Sequence, residues 1–221
     1  PVIAGAGTNS TETTASLAKE MENAGADGLL IVTPYYNKCT DSGLIAHYET
    51  IADKVSLPII MYSVASRTGV NISPRIVKIL SDHPNIAGIK EASGNISQIC
   101  EIAACVSDNF SLYSGNDDQT VPILSLGGIG CISTVSNIIP ARYSAMIGEY
   151  LSGSWRKAGR EQVAIKPLID AVFAEVNPVP VKAALSMMGM CSAEYRLPMC
   201  PPSNKTQYLL YDTLREFDLV E

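Results

Sequence analysis

Six short apolar runs, rich in β-branched residues, recur through the first 133 positions: Val2–Ala4, Gly28–Thr33, Pro58–Tyr62, Ile86–Lys90, Ser111–Ser114 and Gly130–Ser133. None alternates apolar with polar, so both faces of each strand are expected to be buried, as in a parallel sheet covered by helices. Amphipathic stretches separate them. Thr11–Ala24 sets Leu17, Met21 and Ala24 on one face, and Gly43–Asp53 does the same with Leu44, His47, Tyr48 and Ile51. Pro74–Leu80, Ile96–Val106 and Asp118–Leu126 complete the series, with Ser73 and Asn95 as expected caps. One strand every 20 to 30 residues is the period of a βα unit. After Pro140 only helices are expected: Ala141–Leu151, Trp155–Glu175, Val179–Met188 and Lys205–Phe217.

The pattern predicts an α/β fold, either a (β/α) barrel or an open doubly wound sheet. Six units fall short of a closed eight-stranded barrel, and a further N-terminal portion would resolve the shortfall. The chain opens on Pro1 without an initiator Met, so it is expected to be a piece or a processed form of a longer protein. Residues 1–150 form the expected barrel portion, and 151–221 a C-terminal helical region.

Composition narrows the function classes. The chain has 221 residues, 47% hydrophobic and 17% charged, with net charge −6 and no basic run. That argues against a nucleic-acid surface, and requires any anionic substrate to be held by a few placed cations. Six cysteines contain no CxxC pair and only two histidines accompany them, so no metal is expected and the thiols read as small hydrophobes in a reducing cytoplasm. No apolar run approaches membrane-spanning length, and neither glycine-rich stretch (Gly5-Ala-Gly7, Gly127-Gly-Ile-Gly130) completes a dinucleotide fingerprint.

Among nine lysines, only Lys90 terminates a buried strand. In a βα barrel the C-terminal strand ends build the active site. Desolvation there lowers an ammonium's pKa and frees a neutral amine to attack a carbonyl. A lysine paired with Glu91 at a strand edge is the structural alternative. Tyr62 ends the preceding strand and can relay protons across the same mouth, or simply plug the rim. Arg67, in the turn Ala65-Ser-Arg-Thr-Gly69, suits bidentate capture of a carboxylate, or faces solvent. Thr33-Pro-Tyr-Tyr-Asn37 offers two tyrosines aimed in different directions, and Gly115 could allow a small ligand close to the backbone.

With Gly88-Ile-Lys-Glu-Ala-Ser-Gly94, Ser114-Gly-Asn-Asp117, Asn177-Pro-Val-Pro-Val-Lys182 and Arg196-Leu-Pro-Met199, these motifs resemble the dihydrodipicolinate synthase family along the whole chain. The resemblance implies a TIM barrel lacking its first two βα units here, and an imine between Lys90 and pyruvate. The derived enamine would condense with (S)-aspartate 4-semialdehyde in lysine and diaminopimelate biosynthesis. It further implies Tyr62 as proton relay, Tyr36 lent to a neighbouring subunit, Arg67 on the semialdehyde carboxylate, and Gly115 and Ile132 lining the pyruvate pocket. No metal or organic cofactor is implied, and the implied assembly is a homotetramer of tight dimers.

Several positions depart from the family pattern. Ser63 and Ala65 stand where Asn and Pro are usual, Val176 replaces a proline, and the Thr-Thr-Gly-Glu loop is not in the chain. Gly7, Asn9 and Tyr35 match the family's allosteric lysine site, but Thr13 replaces its glutamate, so weak or no inhibition by lysine is expected. Two other readings remain: a lyase acting on a sugar acid, and a catalytically impaired fragment or paralogue.

Overall fold

The computed structural model describes residues 1–221. The chain divides into two compact units, 1–132 and 133–221. The first alternates strands and helices: β1 (Ile3–Gly5), α1 (Thr11–Asn23), β2 (Gly28–Val32), α2 (Asp41–Ala52), β3 (Ile59–Ser63), the single turn α3 (Ala65–Thr68), α4 (Pro74–Leu80), β4 (Ile86–Glu91), α5 (Ile96–Ala103), β5 (Ser111–Ser114), α6 (Thr120–Ser125) and β6 (Gly130–Cys131). The six strands form one sheet in sequence order, and every neighbouring pair is parallel.

The sheet's two faces are unlike. Leu29, Ile31, Ile59, Met61, Ile89 and Leu112 are fully buried and belong to one apolar core with α1, α2, α4 and α5. At about 1.5–3 kcal/mol for each large apolar side chain buried, these residues anchor the sheet to its helices. The residues between them, Leu30, Val32, Tyr62, Lys90 and Tyr113, keep some exposure on the other face. Strand alternation therefore sends catalytic-type side chains to one face and core-forming ones to the other.

Ends of elements are fixed locally. Ser10, Thr40 and Asn95 cap α1, α2 and α5 by accepting the backbone N–H of Thr13, Gly43 and Gln98. Ser73 precedes Pro74 as the sequence predicts, but its side chain makes no capping hydrogen bond. Between β3 and β4 the register slips by one residue, so that Ile60 faces Gly88. A Cβ on Gly88 would stand 2.5 Å from the Ser111 carbonyl oxygen, which only glycine avoids.

The second unit is helical: α7 (Pro140–Leu151), α8 (Trp155–Ala164), α9 (Lys166–Val172), α10 (Val179–Met187) and α11 (Asn204–Glu216). The sequence set the divide at 150/151, whereas α7 packs on α8 and groups with the helices that follow it. The single helix expected over 155–175 is two, because the chain breaks at Ile165 and restarts with Pro167 in the first turn of α9. A proline there has no N–H to continue the preceding helix. β3 and β4 each run one residue past their expected ends, to Ser63 and Glu91.

Candidate active site

The C-terminal ends of β2 to β6 bring one row of residues level: Val32 with Tyr62, Tyr62 with Lys90, Lys90 with Tyr113, and Tyr113 with Gly130. Parallel register partners share a face, so Tyr62, Lys90 and Tyr113 project together. Lys90 Nζ lies 4.1 Å from the Tyr62 ring centroid, within cation–π range.

Electrostatics act on Lys90 in both directions. Burial lowers its pKa first and most, and the Arg67 charge lowers it further, while Cys131 and Asp117 raise it. Burial likewise raises the Tyr62 phenol, with Arg67 opposing. The phenol thus keeps its proton and can donate it, while the lysine is moved toward the neutral amine.

Arg67 sits on α3, exposed, with its charge felt by both Lys90 and Tyr62. What holds α3 at the mouth is Thr68. Its hydroxyl accepts from Thr33 at 2.9 Å and also bonds the Val70 carbonyl, tying the turn after β3 to the end of β2. Gly69 ends α3 in the left-handed region, φ +74°. Two motifs distant in sequence are thereby one structure.

The other predicted residues are less closely drawn together. Tyr36 is 84% exposed and adopts φ +74°, strained for a residue with a Cβ. Tyr35 is 41% exposed, and Asn9 is exposed. Gly7 is half-buried, and a Cβ on it would lie 2.5 Å from the Val32 nitrogen. Gly115 donates to the Glu91 carbonyl at 2.7 Å, and a Cβ there would meet the Ala92 Cβ at 2.6 Å. Its glycine is therefore demanded by the neighbouring strand exit. Ile132 donates its N–H to the Ser114 carbonyl at 2.9 Å.

Two residues escaped the sequence reading, and a third was read in another role. Asp117 is only 2% exposed and accepts a weak bond from the Cys131 thiol at 3.7 Å; both bear on Lys90. Glu91 has no exposed surface. A signal existed for Asp117, since it closes the Ser114-Gly-Asn-Asp117 motif. Nothing marked Cys131 as unlike any other strand residue, and the sequence offered Glu91 only as an ion-pair partner for Lys90. No group of three or more His, Cys, Asp or Glu side chains converges as metal ligands would, and no helix is long and apolar enough to cross a membrane.

A parallel α/β sheet with a desolvated lysine over a strand tyrosine is the arrangement expected of a lysine-dependent aldolase. The chain belongs to the dihydrodipicolinate synthetase family, whose model matches residues 1–217. It is 50% identical over 219 residues to the 4-hydroxy-tetrahydrodipicolinate synthase of Caldicellulosiruptor saccharolyticus, covering 99% of this chain and 74% of that one. The crystal structure of the dihydrodipicolinate synthase of Thermotoga maritima superposes with a TM-score of 0.97 at 46% identity, covering 100% of this chain and 76% of that one. A monomeric dihydrodipicolinate synthase variant matches equally well, at TM-score 0.97 and 46% identity, over 100% of this chain and 75% of its own.

Proposed function

We propose that this protein condenses pyruvate with (S)-aspartate 4-semialdehyde to 4-hydroxy-tetrahydrodipicolinate, through an imine on Lys90. The observation that carries the reading is the Lys90 amine, desolvated and 4.1 Å over the Tyr62 ring at the sheet's C-terminal edge. The names of its relatives support the same reaction. The neutral amine attacks the pyruvate keto carbon, and the carbinolamine loses water to give the imine. Loss of a methyl proton gives the enamine, whose carbon attacks the semialdehyde's aldehyde carbon. The substrate's own amine then displaces Lys90 and closes the ring, which regenerates the free lysine.

Tyr62 shuttles the protons of carbinolamine formation and collapse. Arg67 holds the semialdehyde carboxylate, which fits its exposed place beside both Lys90 and Tyr62. Gly115 and Ile132 line the pyruvate side. Tyr36 serves a neighbouring subunit's relay, a role supported by its exposure and by the strained backbone that turns it outward. The assembly is a homotetramer of tight dimers; since one similar chain is a monomeric variant, solution mass is the deciding measurement. The imine supplies the electron sink, so the reaction needs no metal or organic cofactor. Six free thiols favour a reducing cytoplasm.

The six strands are six of the eight of a TIM barrel, with two further βα units closing it in the complete fold. The 76% share of the Thermotoga maritima chain supports this. Gly7, Asn9 and Tyr35 form the remnant of a lysine-binding site in which Thr13 leaves the ligand's ammonium without its carboxylate. A substrate panel tests the function. Turnover of pyruvate with the semialdehyde, and none with sugar acids, supports the synthase; the reverse supports the sugar-acid lyase.

A further inference from the structure

Tyr62 and Lys90 are register partners, and so are the residues that follow them, Ser63 and Glu91. Alternation sends the first pair to the open face and the second to the helix-covered face. Ser63 and Glu91 are both completely buried. We propose that Glu91 is a positioning residue for Lys90, holding the strand exits from behind so that the amine stays over Tyr62.

The carboxyl meets three segments. Its Oε1 accepts the Ser93 backbone N–H at 2.8 Å, folding the chain back just after β4. The side chains of Ser63, on β3, and Gln98, on α5, stand near enough to act on it as donors. Gln98 is in turn paired with Asn71, through bonds of 2.8 and 3.2 Å, and Ser63 accepts the Ile72 N–H. Main-chain bonds complete the frame, from Ala92 N–H to the Ser63 carbonyl and from Gly115 N–H to the Glu91 carbonyl. Yet Oε2 has no well-formed partner, an expensive arrangement for a fully buried oxygen. An orphaned buried oxygen calls for a reason, and the frame it closes around the two strand exits supplies one.

The route from Glu91 to the lysine is position, not field. The charges that move Lys90's pKa are those of Cys131, Asp117 and Arg67, and Glu91 is not among them. A neutral side chain of the same shape should therefore serve, provided that it still accepts the Ser93 N–H.

The inference rests on Lys90 as the imine lysine, and two readouts keep the two claims apart. One is the rate of borohydride trapping with pyruvate. The other is reductive methylation of Lys90 by formaldehyde and borohydride, followed by peptide mapping, which reports the amine's setting without pyruvate. Glu91→Gln should keep both rates within about threefold, whereas Glu91→Leu should lower pyruvate trapping about a hundredfold, the scale of a misplaced reacting group, at a melting temperature near wild type. Ser63→Ala, a milder change from the same buried face, should lower trapping about tenfold with the fold intact, and decides the matter if Glu91→Leu does not fold. Wild-type rates in Glu91→Leu, or in Ser63→Ala where that variant decides, overturn the proposal. Equal losses in Glu91→Gln and Glu91→Leu also overturn it, since charge would then be the cause. If wild type traps no pyruvate at all, the functional reading fails. A Lys90 methylation rate that changes in Glu91→Leu and not in Glu91→Gln then still supports the positioning role, and the same rate in both overturns it.

Discussion

Lys90 Nζ stands 4.1 Å from the centre of the Tyr62 ring, and the two residues are direct register partners on adjacent parallel strands. The ring does two things to the lysine. It removes water, which favours the neutral amine, and it offers a π-face that stabilises whatever cation remains. Its hydroxyl is a separate device. Tyr62→Phe keeps the ring and removes only the relay, so kcat should fall about 10²- to 10⁴-fold, the usual worth of a placed acid–base group. Lys90 methylation should be little changed. Steady-state kinetics beside peptide mapping check this, and equal losses in both would mean that the hydroxyl sets the state of the amine and is not a relay.

The pH dependence of imine formation follows from the charges around Lys90. The amine must be neutral to attack, so trapping should rise with pH, with a midpoint below the ordinary lysine range because burial lowers the pKa. Arg67 lowers that pKa too, so Arg67→Met should move the midpoint up. Asp117 raises it, so Asp117→Asn should move the midpoint down. Trapping rates across a pH series of each variant test the opposite signs. Arg67→Met should also weaken binding of the semialdehyde about tenfold or more, seen in its KM, with pyruvate's KM little affected.

His47 gives a stability prediction away from the site. It is 3% exposed, its Nδ1 is 2.9 Å from the Thr11 hydroxyl, and its Nε2 has no partner. Burial lowers its pKa to about 4. The unfolded chain then takes up a proton that the folded one refuses, between about pH 6.5 and 4. The stability from keeping His47 neutral is complete above pH 6.5 and drains as pH falls through that window, by about 3 kcal/mol. Urea melts of wild type and His47→Phe should show this slope in the first and a shallower one in the second.

Inhibition by lysine should be weak. Thr13 is exposed on α1 and carries no charge to meet an ammonium, although Asn9 and Tyr35 are also exposed. Thr13→Glu should strengthen inhibition if this is the lysine site. Titrating lysine into the activity assay of both forms measures it, and strong inhibition of the unaltered protein would refute the expectation.

Much of this was legible in one dimension. All six strands fall on the apolar β-branched runs, because one face packs into the helix-covered core while Leu30, Val32 and Ile60 keep the other face apolar as well. Lys90 was visible because an ammonium at the end of such a run is costly and so conspicuous. What the sequence could not show were contacts across strands. Thr33 and Thr68 are 35 residues apart, and nothing local reveals their bond. Cys131 looks like any small apolar residue until β6 carries it beside Asp117 and Lys90. Glu91 read as a partner for its neighbour Lys90, but strand alternation puts the two on opposite faces. The break at Ile165 was signalled by Pro167 and lost because the apolar pattern continues through it.

The whole reaction turns on Lys90 as the nucleophile. Borohydride reduction in the presence of pyruvate, followed by peptide mass mapping, tests it most directly. A single pyruvyl adduct on the peptide carrying Lys90, absent in Lys90→Met, is the predicted result. An adduct on another lysine, or an equal yield in Lys90→Met, would contradict it.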